Sequence, residues 1–163
     1  MYDELSPSRR TALLEGLADN GWARATEVAT ARACASLLRK ASRAAWSRLD
    51  GEGFSLEIAP LDDAALAAAL GASDLRLVRH GVGDHGLPPV VEGRIGFVLD
   101  LNAGWPSQHG GLLIFADGDR VRGWRPEPGA LTLFDTARPP ILSGVSPGAR
   151  APRLAVMGSL REG

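Results

Sequence analysis

A chain of 163 residues that is 45% hydrophobic and 23% charged has the size and composition of one globular domain. Its 18 basic and 19 acidic residues leave a formal net charge of −1, so no excess of basic charge is available to draw in nucleic acid or an anionic membrane. Cys34 is the only cysteine, which excludes an intramolecular disulfide, and neither a signal-peptide core nor an apolar run of membrane-spanning length is present, so the expected location is the cytoplasm. Ser6-Pro7 is an N-cap and first-turn pair, and it predicts a helix to about Asp19 that stops at Asn20-Gly21. "GWARATEV" (21–28) reads as a short strand. Thr30 caps a second predicted helix that runs to about Leu49. Cys34, Leu37, Leu38, Ala41, Ala45 and Leu49 would share one face, with Gly51 and Gly53 as the stop. A third helix fits Leu61 to Leu70, closed by Gly71.

From Asp74 the pattern changes to short strands between turns. The candidates are "LRLVRHG", "RIGFVLDL", "GGLLIFA", "RVRGW", "ALTLFD", "ILSGV" and "RLAVMGSL". "ADGD" (116–119) is a tight hairpin turn, and "RPEPGA" (125–130) is a second turn set by proline and glycine. The pattern therefore predicts an α+β domain spanning 1–163, with a mainly helical support over 1–72 and a β core over 73–163.

"FVLDLNAGWPSQHGGLLIF" (97–115) resembles the central strands of 2-oxoglutarate/iron(II) dioxygenases of the prolyl-hydroxylase type. The family pattern is an apolar strand ending in Leu-Asn, then a Trp, then Gly-Gly-x-Leu. Leu101, Asn102, Trp105, Gly110, Gly111 and Leu113 stand in that order. "PEPGALTLFD" (126–135) resembles the next strand, and "SGVSPGARAPRLAVMGSLR" (143–161) resembles the closing segment. The resemblance implies a double-stranded β-helix, the jelly-roll or cupin-like barrel, with the N-terminal helices packed on one sheet.

It also implies an iron site of two histidines and one carboxylate. The first His and the acid form His-x-Asp or His-x-Glu just before the Gly-Arg of the next strand, here Gly93-Arg94; the second His lies on the penultimate strand. In this chain Pro89 and Val91 stand at the first pair and Ser143 at the distal His, and a shift by one residue gives Val90 and Glu92. The three histidines, His80, His85 and His109, are followed two positions on by Val82, Leu87 and Gly111, so no His-x-acid pair exists and no histidine follows residue 109. Proline and valine side chains offer no donor atom. The family's last strand opens on an Arg that grips the distal carboxylate of 2-oxoglutarate, and Arg153 stands there, ten residues after Ser143. Arg153 is accordingly the one expected cofactor-binding residue; the alternative for it is a pairing with an internal acid or a place at the barrel mouth.

The resulting expectation is a degenerate dioxygenase-like protein with the fold kept and the His-x-Asp…His triad missing. It would serve as a binding or scaffolding module for a protein partner, such as an active paralogue, or for a small diacid at Arg153. No catalytic residue, metal ligand or cofactor is expected on this reading. The alternative is an active hydroxylase that binds Fe(II) and 2-oxoglutarate through an atypical set, His80, Asp84 and His85 in "HGVGDH". Cys34, on the apolar helix face, reads as a packing group. The four Trp residues are too dispersed for a nucleic-acid stacking platform.

Overall fold

Ser6 accepts a hydrogen bond from the Arg9 backbone N–H and starts α1 (Pro7–Asn20), which Gly21 ends in the left-handed conformation at φ 78°. The computed structural model describes residues 2, 5–90 and 93–161. Thr30 caps α2 (Ala31–Ser42), and Asp63 caps α3 (Ala64–Leu70), which closes on Gly71 at φ 63°. The strands are β1 (Trp22–Ala25), β2 (Ser47–Gly51), β3 (Phe54–Pro60), β4 (Ala72–His80), β5 (Ile95–Asp100), β6 (Leu113–Asp117), β7 (Arg120–Trp124), β8 (Leu131–Asp135), β9 (Ile141–Leu142) and β10 (Arg153–Leu160). All seven strands expected after residue 73 are present.

The strands form a seven-stranded sheet in the order β1-β8-β5-β10-β4-β3-β2 and a three-stranded sheet in the order β7-β6-β9. Every pairing in both is antiparallel. Alternation along each strand sorts the side chains onto two faces. On one face of the large sheet, Leu77, Phe97, Leu99, Leu131, Leu133 and Val156 pack with Leu13 of α1, Ala33, Cys34 and Leu37 of α2, and Leu66 and Leu70 of α3. On the other face, Leu56, Val78, Val98, Phe134, Ala155 and Met157 meet Leu113, Phe115 and Leu142 of the small sheet. The molecule is therefore layered as helices, large sheet and small sheet, which is the α+β arrangement expected of a double-stranded β-helix.

The second helix is shorter than its spacing predicts. It ends at Ser42, so Ala45 and Leu49 do not extend its buried stripe. The Trp46 indole Nε1 donates to the Ala41 carbonyl at 3.1 Å and satisfies part of the helix end. The next residues leave as the hairpin β2–β3, paired from Ser47↔Ile58 to Gly51↔Phe54, with Gly53 at φ 81° in its turn. Gly51 and Gly53 thus belong to a hairpin rather than to a helix stop. The helical first part of the chain also contributes three strands of the large sheet. The expected ligand positions Val91 and Glu92 lie outside the described residues.

Leu37 is fully buried between α2 and the large sheet, while Arg32 on the same helix is exposed. Leu37→Ala should cost about 2–5 kcal/mol and Arg32→Ala less than about 0.5 kcal/mol in urea unfolding. Equal effects would contradict the placement of the helical layer.

Candidate functional site

The space between the two sheets is apolar along most of its length and polar at one end. At that end β10 opens with Arg153, and its register partner is His80, the last residue of β4. Arg153 is in step with Ala155 and Met157, and His80 with Val78, so both side chains enter the inter-sheet space. Arg153 has 0% exposure. Its Nη2 donates to Asp100 Oδ1 at 2.7 Å, and its Nε donates to the Gly111 carbonyl at 2.8 Å. Asp100 ends β5 and is 1% exposed. Its second oxygen accepts from Arg24 Nη1 on β1 at 3.2 Å, and the same nitrogen donates to Thr132 Oγ1 of β8 at 2.8 Å. Arg24 also lies over the Trp124 ring, 5.4 Å from its centroid, and approaches Glu127 at 3.8 Å. Arg24, Thr132, Asp100, Arg153 and His80 thus make one polar row across five adjacent strands.

Two guanidiniums share one buried carboxylate in this row. Burial pushes the Asp100 carboxyl up, and the charges of Arg153 and Arg24 act against that. Burial likewise pushes the Arg153 guanidinium down, and Asp100 opposes it. Arg153 is a permanent cation in protein conditions, so Asp100 is the group that makes its burial tolerable. Of the two expectations for Arg153 outside cofactor binding, the pairing with an internal acid is the one seen.

The glycine pair shapes this end of the molecule. Gly110 has φ 68°, and a Cβ there would stand 2.1 Å from the Gly144 carbonyl oxygen. Gly111 has φ 62°, and a Cβ there would stand 3.0 Å from Arg153 Cδ. A side chain at either position would displace the neighbouring chain or the arginine.

His80 is fully buried, with Nε2 2.7 Å from the Gly86 carbonyl. A carbonyl only accepts, so Nε2 carries the hydrogen and Nδ1 presents a lone pair. That Nδ1 and Arg153 Nη1 have no hydrogen-bond partner among the described residues. Desolvation and the nearby Arg153 charge hold the His80 pKa down to about 4.

The atypical metal set is not assembled. Asp84 Oδ2 accepts the Gly81 backbone N–H at 2.8 Å, and its Oδ1 pairs with Arg48 Nη2 at 2.7 Å. His85 is exposed, with Nδ1 3.3 Å from the Gly83 carbonyl, while His80 points inward to the Gly86 carbonyl. Each of the three is committed to holding the 81–86 loop, which is why their closeness in sequence makes no ligand cluster. His109 lies edge-on to Trp105, with ring centroids 5.6 Å apart. Among the described residues no group of three or more His, Cys, Asp or Glu side chains is placed to hold a metal ion.

Of the positions implied for the iron ligands, Pro89, Val90 and Ser143 are described, and they are taken up by packing and backbone contacts. The Pro89 carbonyl accepts from Arg76 Nη2 at 3.0 Å, and Val90 packs against the apolar cluster between the sheets. The Ser143 hydroxyl accepts the Leu112 backbone N–H at 2.9 Å, and the Ser143 N–H donates to the Leu112 carbonyl at 2.9 Å. These residues do not fit an iron ion, because none presents a free imidazole or carboxylate.

Sequence reasoning missed Asp100 and Arg24. The signal for Asp100 was an acid inside the apolar strand "FVLDL", in step with the inward-facing Val98. Next to the row is a surface cleft of about 400 Å³ lined by Trp105, Pro106, Arg125, Glu127 and Pro128. Arg24 reaches its lining through the Arg125 carbonyl at 3.4 Å.

His80 supplies a test of this geometry. Its folded pKa is below the unfolded value near 6.5, so the unfolded chain binds more protons between about pH 4 and 6.5. Its contribution is therefore complete above that window and is lost as pH falls through it. His80→Gln keeps an N–H for the Gly86 carbonyl. Between pH 7 and pH 5 the wild type should lose about 2 kcal/mol more unfolding free energy than His80→Gln. Parallel losses would contradict a buried neutral imidazole.

No family profile and no curated protein sequence matches the chain. Solved structures do. A prolyl-4-hydroxylase from Pseudomonas putida superimposes with a TM-score of 0.70 at 18% identity, covering 93% of this chain and 99% of that one. A prolyl hydroxylase from Trichoplax adhaerens, solved with a hypoxia inducible factor oxygen degradation domain peptide, gives 0.71 at 16% identity over 92% and 88% of the two chains. An oxidoreductase of the 2OG-Fe(II) oxygenase family from Burkholderia pseudomallei gives 0.64 at 11% identity over 91% and 89%. With its helical layer over a large antiparallel sheet that packs on a small one, the chain has the fold of the 2-oxoglutarate/iron(II) oxygenases, prolyl hydroxylases among them.

Proposed function

We propose that this protein is an oxygenase-like domain with a non-catalytic role, a binding or scaffolding module built on a fold whose relatives hold iron. The observation that carries this reading is the state of the inter-sheet space. Pro89 and Ser143 stand at implied ligand positions with no free donor. Leu113, Phe115, Phe134, Leu142 and Met157 fill the interior beside them. Arg153, the residue implied to grip the cosubstrate, holds Asp100 instead. Without a metal, 2-oxoglutarate loses its chelate anchor, and with Asp100 in place it would compete with a carboxylate tethered at the site. On this reading Arg153 keeps its anion-gripping role and spends it inside the protein.

A protein partner, such as a catalytically active paralogue, suits a module of this kind. The outer face of the small sheet supports that part of the reading. Val121 and Ile141 are 68% and 66% exposed there. They are register partners of Ala116 and Ile114, which point away from the buried Leu113 and Phe115. Exposed aliphatic residues on one sheet face suit a contact surface where they join into a contiguous patch.

Purified protein equilibrated anaerobically with Fe(II) and 2-oxoglutarate, then desalted, should retain less than about 0.1 equivalent of iron and release no succinate on exposure to oxygen. Stoichiometric retained iron, or turnover of 2-oxoglutarate to succinate, would overturn the proposal.

A further inference from the structure

Asp100 is placed as a ligand would be. It is fully enclosed, and its two oxygens are held by different guanidiniums, Arg153 Nη2 at 2.7 Å and Arg24 Nη1 at 3.2 Å. Both cations are nearly or wholly buried, with side-chain exposures of 0% and 7%. Among the described residues neither has another buried acid beside it; the further acidic partner of Arg24, Glu127, is 54% exposed and 3.8 Å away. The two cations converge on one point, and whatever occupies that point must be an anion. The Arg153 end is still short of one acceptor, since Nη1 has no partner among the described residues. The row also lies next to open space, because Arg24 bonds to the Arg125 carbonyl and faces Glu127, which both line the 400 Å³ cleft.

We infer that Asp100 is a resident carboxylate ligand, one that fills an anion site formed by Arg24 and Arg153 and closes it to small carboxylates from solution. Asp100 is thereby the residue that decides what this interior binds. Gly111 contributes by leaving room for the Arg153 chain, whose Cδ would lie 3.0 Å from a Cβ at that position. Removing the Asp100 carboxylate leaves two buried cations and a void the size of one carboxylate group. Formate matches that void, because Asp100→Ala deletes that group and no more. The inference rests on the same Arg153–Asp100 pairing as the non-catalytic reading, but its test reads anion binding and not iron retention, so the two can fail separately.

The test is thermal unfolding of the full chain in sodium formate against sodium chloride at equal ionic strength. Asp100→Ala should melt about 10 °C below wild type in chloride, as expected when one partner of a buried ion pair is lost. At 100 mM formate it should regain roughly 3–6 °C, the gain for a Kd of about 10 mM. Wild type should show no difference between the salts. Asp100→Asn, whose amide fills the same space, should also show none, and Asp100→Ala combined with Arg153→Met should lose the formate gain. The inference is overturned if Asp100→Ala is indifferent to formate, if it stays unfolded in formate, or if the gain survives Arg153→Met.

Discussion

The arrangement of this molecule depends on a wholly buried arginine. A guanidinium cannot shed its charge in a protein, so Arg153 at zero exposure requires an anion within contact distance. Asp100 supplies it, and the requirement extends outward from there. Arg24 takes the second carboxylate oxygen and links β1 to β5, while the Gly111 carbonyl takes Arg153 Nε and ties the segment before β6 to β10. Gly111, at φ 62°, leaves the space beside Arg153, since a Cβ there would stand 3.0 Å from Arg153 Cδ. One ion pair thus fixes the relation of the large sheet to the start of the small sheet, at the end of the molecule where chemistry would be expected.

The remainder of the inter-sheet space follows a different rule. Leu56, Val78, Val98, Phe134 and Met157 meet Leu113, Phe115 and Leu142, and the gain there is the ordinary one of removing aliphatic and aromatic surface from water. An interior divided in this way has a polar end that holds its own ion pairs, with His80 Nδ1 and Arg153 Nη1 left without a partner among the described residues, and an apolar body already packed. On the proposed non-catalytic reading, neither part serves a chelated metal or its cosubstrate. The overall fold, by contrast, needs neither, because the helical layer and the alternation of the strands stabilise it without any contribution from the site.

Much of this was legible in the sequence. The seven strands after residue 73 announce themselves by alternation and by the glycine and proline turns between them. The ends of α1 and α3 were marked by Ser6, Gly21 and Gly71. The second helix was not legible at its end. "RAAWSRLDGEG" continues the helical spacing of α2, and only the Trp46–Ala41 cap and the pairing of Ser47 with Ile58 show that the chain has turned into a hairpin. At the site, the absence of histidine after residue 109 and the place of Arg153 could be read from local order. The partnership of Arg153 with Asp100 and Arg24 could not, because it joins residues 53 and 76 positions apart along the chain. Asp84 and His85 misled for the opposite reason: adjacent in sequence, they are drawn to Arg48 and the Gly83 carbonyl respectively.

The most direct measurement is a crystal structure of the protein grown anaerobically with Mn(II), as a redox-inert stand-in for iron, and 2-oxoglutarate. The account predicts Asp100 seated between Arg153 and Arg24, with no metal density between the sheets. A metal ion coordinated near Ser143, or Arg153 turned from Asp100 onto the carboxylate of 2-oxoglutarate, would contradict it.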